Sequence, residues 1–235
     1  MLSDGRTSGV FQMESAGMTG VCVGLKPQNI EDITAIIALY RPGPMDSIPR
    51  FIACKHNPEL VRYKHPLLEP ILSITYGCIV YQEQVIEIFR QLAGYSLGQA
   101  DMVRRAMSKK KVKDIERERE AFLHGDPDRK IAGCAARGIS EDVAQSIYNE
   151  IYDFANYAFN KAHAVAYAVV AYQTAWFKCH HTREYMAALL TSVLDSQEKV
   201  AEYIAVCREN GIQLLPPDIN ESGATFTVSG QNIRF

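Results

Sequence analysis

The 235 residues carry 25 Lys and Arg against 27 Asp and Glu, a net charge of −2 at pH 7. That balance excludes a uniformly basic nucleic-acid coat and leaves room for a local basic face. No signal peptide or apolar span of membrane length occurs, since the longest apolar run, Ala164 to Ala171, is too short. The six cysteines, Cys22, Cys54, Cys78, Cys134, Cys179 and Cys207, form no C-x-x-C pair. They point to free thiols in a reducing cytoplasm rather than to a disulfide framework or a zinc site. The tract Cys179-His180-His181 is set aside as a metal site, because adjacent helical residues point in different directions. The chain is long enough to bury a real core, as one large domain or two small ones. Its start, "SDGRTSGVFQMES", and its end, "FTVSGQNIRF", both read as cut, so a piece of a longer protein is expected.

In chain order, Pro27 opens a helix whose Ile30, Ile33, Ile36 and Ile37 share a face, ending before "RPGP" at 41–44. "YGCIVY", 76–81, reads as a short strand, followed by a helix from about Gln82 to Ala93 that stops at Gly94. One long charged helix is expected from roughly Gln99 to Leu123, then a turn at "GDPDRK". Ser140 with Glu141 and Asp142 starts another helix, with acids where the dipole favours them. A further helix runs from Lys161 to about His180, and Thr182 and Ser196 read as two more N-caps. After Gly211, "LLPPDIN" is an extended connector into one half of a β-hairpin. Strands do not alternate with helices, so a parallel βαβ sheet is excluded and a mainly α fold is expected, with a little β near 76–81 and at the C-terminus.

Four polar clusters could carry chemistry. In "DMVRRAMSKKKVK", 101–113, Arg104, Arg105, Lys109, Lys110, Lys111 and Lys113 crowd together, and the reading meets no acid until Asp114 and Glu116. A phosphate-rich ligand would relieve that repulsion; a solvated charged face is the plainer reading. In "FNKAHAVAYAVVAYQ", 159–173, Asn160, Lys161 and His163 stand at a helix N-terminus, where unpaired N–H groups attract anions. His163 and Tyr167 are i and i+4 there, and Gln173 and Lys178 continue the polar points; a core role for the tyrosines is the alternative. In "YQEQ", Gln82 and Gln84 could reach bases or backbone. In "YRPGP", Arg41 stands at a helix end, where it could cap carbonyls or reach a ligand. There is no P-loop, nucleophile elbow or paired-carboxylate motif beside a strand.

Taken together, "GVFQMES", "YRPGP", "YGCIVYQEQV", "GYSLGQADMVRRAMSKKK", "FNKAHAVAYAVVAYQTAWFK" and "LPPDIN" resemble the alpha subunit of bacterial DNA polymerase III, the C-family replicative polymerase in its DnaE-type branch. The resemblance runs from Gly9 to Phe235 and corresponds to the fingers region. It implies a fingers domain over 1–215, with 216–235 as linker and the start of a following region. It also implies a DNA-directed DNA polymerase whose catalytic aspartates and two Mg²⁺ ions belong to a palm upstream of residue 1. This chain alone is then expected to be inactive and to hold no metal.

The resemblance implies nucleotide and phosphate contacts at Arg104, Arg105, Lys109, Asn160, Lys161 and His163. It implies DNA contacts at Lys110, Lys111, Arg41, Gln82, Gln84 and Tyr167. The expected ligands are primer–template DNA and a dNTP. In the full-length protein a sliding clamp, a clamp loader and a proofreading exonuclease subunit are the expected partners, docking mostly outside this piece. The family commonly reads "GYGFNKSH", where this chain has Asn156, Ala158 and Ala162; the missing hydroxyl at 162 removes any hydrogen bond it would make to a nucleotide. "HGDPDRKIAGC" is an unusual loop without an assigned role. The alternative from another class is a non-catalytic helical nucleic-acid or protein interaction module of the same fold.

Overall fold

The computed structural model describes residues 1–108, 112–155 and 157–235. The architecture is mainly α, as expected. In chain order the helices are α1 (Ala16–Leu25), α2 (Ile30–Leu39), α3 (Ile48–His56), α4 (Glu69–Leu72), α5 (Gln82–Ala93), α6 (Leu97–Ser108), α7 (Val112–His124), α8 (Glu141–Ala155), α9 (Lys161–His180), α10 (Thr182–Ser192) and α11 (Gln197–Glu209). A small sheet closes the chain: β1 (Leu214–Leu215), β2 (Thr227–Ser229) and β3 (Asn232–Arg234), in the order β1-β3-β2. β1 runs parallel to β3 and β2 antiparallel to it, with Ile233 opposite both Leu214 and Val228. Among the described residues no helix is long and apolar enough to cross a membrane.

The chain divides into two compact units, one of residues 34–166 and the other of 1–33 with 167–235. In the first, α5 supplies the centre. Its Val85, Ile88, Phe89 and Leu92 are fully buried, and Phe89 meets Phe122 of α7 at 5.1 Å and Tyr148 of α8 at 6.2 Å between ring centroids. Each such side chain contributes roughly 1.5–3 kcal/mol of burial, and the tilted and edge-on rings add specificity of packing. α5 stops at Gly94, whose φ of +77° is the left-handed conformation a C-cap glycine supplies.

The other unit packs α10 and α11 on the sheet around Met186, Leu190, Tyr203, Cys207 and Ile233. Its N-terminal stretch is held by polar ties: Tyr185 Oη donates to the Gly9 carbonyl at 2.6 Å, and Tyr203 Oη to Glu14 at 2.9 Å. Lys178, expected at a polar point of its helix, is only 5% exposed; its ammonium donates to the carbonyls of Arg6 and Ser8, at 3.1 and 2.7 Å. Burial holds that lysine below the ordinary ammonium range.

Several local expectations change. The single helix expected over Gln99–Leu123 is two, α6 and α7, with 109–111 outside the described residues. Tyr95 Oη, just before the expected start, donates to Glu118 at 3.1 Å, whereas one continuous helix would set Gln99 about 28 Å from Glu118. The β element expected near 76–81 is a single bridge, Tyr81 to Phe159. Thr182 caps nothing: its hydroxyl donates back to the Lys178 carbonyl, while Ser196 does cap α11 by accepting from Lys199 N–H. α1, absent from the sequence reading, is capped by Ser15.

The loop at 124–134 has a structural role. Asp126 and Ile131 exchange backbone hydrogen bonds, and Gly133 N–H donates to the Ala93 carbonyl at the end of α5. Arg129 pairs with both Glu118 and Asp126, and its carbonyl accepts from Gln99. The loop thereby ties α5, α6 and α7 together.

Candidate functional site

Three of the sequence clusters interlock around residues 157–163. The chain at Val80–Gln82 pairs with Phe159: Phe159 N–H donates to the Val80 carbonyl and Gln82 N–H to the Phe159 carbonyl, at 3.2 and 2.9 Å. Gln82 adds its side chain, donating to the Ala158 carbonyl at 3.0 Å. Arg41, at the end of α2, donates to the carbonyls of Ala38 and Tyr157, and its guanidinium lies 4.2 Å from the centre of the Phe159 ring. Partial burial lowers its pKa, but an arginine stays charged. Arg41 thus both caps α2 and fixes the turn before α9.

Gln84 points the other way. Only 6% exposed, it accepts from the N–H groups of Val80 and Tyr81 and donates to Ile71 O and Thr75 Oγ1. All its amide capacity toward these neighbours is engaged inside the protein. Its expected place against DNA gives way to holding the 78–81 segment onto α5.

The mouth of α9 shows why an amide, an ammonium and an imidazole stand together there. Asn160 is the N-cap: its Oδ1 accepts from His163 N–H at 2.9 Å. The anion attracted by the helix N-terminus comes from within the chain. Glu83 accepts from Lys161 N–H with both oxygens, at 3.0 and 3.1 Å, and from Asn160 Nδ2 at 3.0 Å. The Lys161 ammonium lies 5.4 Å from the centre of the Tyr81 ring, and the exposed His163 meets Phe159 edge-on.

On α6 the arginines share an acid one turn before them, Asp101. Asp101 accepts from Arg104 Nη2 and pairs with Arg105, both at 2.8 Å. The hydrogen bond from Arg104 first, and the two positive charges with it, hold this carboxyl below its usual range. The Arg104 side chain is 16% exposed and that of Arg105 is 67% exposed, so Asp101 props one guanidinium against the protein and presents the other to solvent. Lys109, Lys110 and Lys111 lie outside the described residues.

The structure also shows a cavity of about 730 Å³ between the "RPGP" turn and α8, lined among others by Gly43, Arg50, Lys64, Glu150 and Tyr157. Glu150 pairs with Lys64 at 2.7 Å and with Arg50 at 3.8 Å, and Asp142 and Asp153 stand in the same wall. Gly43 is the one legible signal for it: at φ +102° its missing Cβ would sit 2.4 Å from the Tyr157 ring.

In the unit of 1–33 and 167–235, Tyr167 stacks on Phe11 with 5.3 Å between centroids. Gln173 is exposed. His180 and His181 gather round Trp176 at 4.8 and 5.5 Å. Among the described residues no group of three His, Cys, Asp or Glu side chains is placed to hold a metal ion.

Comparison with known proteins accounts for this grouping of motifs. The family of the bacterial DNA polymerase III alpha subunit finger domain matches residues 1–129. DNA polymerase III subunit alpha of Thermus aquaticus is 48% identical over 240 residues, covering 100% of this chain and 19% of that protein. The same subunit of Bacillus subtilis strain 168 is 46% identical over 235 residues, 100% of this chain and 20% of the relative. That of Chlamydia trachomatis is 48% identical, covering 100% and 18%. The chain spans about a fifth of the length of these relatives. With the family model over more than half of the chain and close relatives over all of it, the chain belongs to the bacterial DNA polymerase III alpha subunit finger domain family.

Proposed function

We propose that this chain is the fingers region of a replicative DNA-directed DNA polymerase, gripping the triphosphate of the incoming dNTP and nearby primer–template phosphates. The observation that supports it most is the Asp101–Arg104–Arg105 arrangement on α6. One carboxylate orients two guanidinium groups, so a phosphate meets donors already in place and less side-chain freedom is lost on binding. The Arg105 guanidinium is held by Asp101 at a side chain that is 67% exposed, where a polyphosphate can reach it.

Arg105 is then the outer phosphate ligand and Arg104 the inner one, and Lys109 is the third phosphate contact of the proposal. Asn160, Lys161 and His163 form the second part of the proposal: Lys161 supplies charge, and the capped turn presents His163 to the sugar and base. Arg41 and Gln82 support DNA binding by fixing that turn, and Lys110, Lys111 and Tyr167 complete the proposed DNA-facing set. Phosphate contacts provide affinity without reading sequence, as a replicative polymerase requires.

Magnesium chemistry calls for clustered carboxylates. The carboxylates of these two clusters, Asp101 and Glu83, are committed to Arg104 and Arg105 and to Lys161 and Asn160, so we assign the two metal ions to a palm beyond this chain and route no step through it. The isolated chain should show no metal-dependent primer extension; detectable extension would refute that assignment. The sliding clamp, clamp loader and proofreading exonuclease subunit belong to the full-length polymerase in this reading.

The test is fluorescence anisotropy of a labelled primer–template with the chain across a salt series, repeated with Arg104→Ala/Arg105→Ala. Loss of two phosphate contacts should make the log–log salt slope shallower by about 2. Binding indifferent to both arginines would refute the assignment and leave α6 a solvated charged face.

A further inference from the structure

Glu83 stands in the first turn of α5, where a carboxylate normally serves its own helix dipole. Instead both of its oxygens reach 77 and 78 positions along the chain, to Asn160 Nδ2 and to Lys161 N–H at the mouth of α9. We propose that Glu83 is the positioning residue of the nucleotide-facing turn: an internal carboxylate that occupies the N-terminal pole of α9 and sets the orientation of Asn160, Lys161 and His163.

Three consequences follow from the geometry. A carboxylate is acceptor-only, so the two N–H groups bound to it fix both the backbone at 161 and the amide of Asn160. With Nδ2 committed to Glu83, Asn160 Oδ1 faces His163 N–H, which sets the first turn of α9 and the place of the imidazole. With the pole of the helix already satisfied, an arriving triphosphate is directed to the Lys161 ammonium and to the arginines of α6, not to the α9 backbone. Gln82 anchors the same turn by donating to the Ala158 carbonyl, while Gln84 holds the preceding 78–81 segment in place through Val80 N–H and Tyr81 N–H.

This inference rests on the nucleotide-binding reading given above, and its test separates the two. In the full-length polymerase, dNTP KM, kcat and thermal midpoint are measured for Glu83→Gln, Glu83→Ala and Arg104→Ala/Arg105→Ala. Glu83→Gln keeps an acceptor but loses the charge and half of the two-oxygen grip. It should raise the dNTP KM about fivefold with kcat within about twofold, and Glu83→Ala should raise KM further. A KM unchanged by both Glu83 variants, with the arginine pair raising it, would overturn the role of Glu83 and leave the nucleotide reading standing. A loss confined to kcat and to the melting midpoint would also overturn it, by showing a purely structural tie. If the arginine pair leaves KM unchanged as well, the nucleotide reading falls and the inference with it.

Discussion

Two glutamines of one motif, two positions apart, should differ several-fold in what they contribute to stability. Gln84→Ala removes the acceptor for Val80 N–H and Tyr81 N–H and the donor for Ile71 O, all beside a side chain that is 6% exposed. A buried polar group left without a partner costs about 1–3 kcal/mol. With relaxation around the lost volume, the sum is about 4 kcal/mol. Gln82→Ala removes one partly buried hydrogen bond, to Ala158 O, and should cost about 1 kcal/mol. At roughly 2–4 °C per kcal/mol for a chain of this size, the thermal midpoints should fall by about 12 °C and about 3 °C. Gln84→Glu should lie between the two, because a carboxylate still accepts from the two N–H groups but offers nothing to Ile71 O or Thr75. Melting followed by far-ultraviolet circular dichroism decides it. Equal losses for the two alanine variants would refute the claim that Gln84 faces inward as a fastener.

Gly43→Ala should destabilise by about 2–3 kcal/mol, combining left-handed backbone strain with a clash against Tyr157; adding Tyr157→Ala should restore the clash component alone, as read by denaturant midpoints. Asp101, held below the usual 3.8 by Arg104, contributes stability that is present above that value and lost as pH falls through its lowered folded value. Asp101→Asn should remove this part of the acid dependence, measured by denaturant midpoints between about pH 6 and pH 2. Iodoacetamide under native conditions should modify Cys179, the exposed thiol, and leave Cys22, Cys54, Cys78, Cys134 and Cys207 untouched. Burial pushes the thiols of Cys22, Cys78 and Cys207 up to about 11 and that of Cys134 up to about 12, so little thiolate is present to react. Peptide mapping by mass spectrometry reads the outcome.

How much of this was legible in the sequence follows from how local each determinant is. α5 was readable to its ends, because its apolar face repeats at helical spacing and Gly94 stops it. α9 was readable for the same reason at its start, where Asn160 caps it. α1 was not: Gly17, Gly20 and Gly24 lower helix propensity, and only Ser15 marked its beginning. The separation of α6 from α7 has no Gly or Pro between 99 and 123 to announce it, and depends on distant ties such as Tyr95 to Glu118. "YGCIVY" has strand composition but pairs through one bridge, so tertiary context overrode propensity. At the site, residue types were legible and their directions were not. Arg41, Gln82 and Gln84 stood out as polar residues in conspicuous places, but that one fastens a turn and another faces inward depends on chain segments up to 116 positions away. Glu83 carries no local signal because its partners lie 77 and 78 positions on, and Asp101 is masked by the run of positive charge after it.

The central claim is that α6 and the mouth of α9 receive the nucleotide triphosphate. The most direct measurement is photo-crosslinking of a dNTP bearing an aryl azide on its terminal phosphate to the full-length polymerase with primer–template, with adducts mapped by mass spectrometry. The account predicts adducts in the peptide containing Arg104 and Arg105, joined by the peptide containing Lys161, and their loss in Arg104→Ala/Arg105→Ala. Adducts confined to other segments, with these two peptides unmodified, would contradict it.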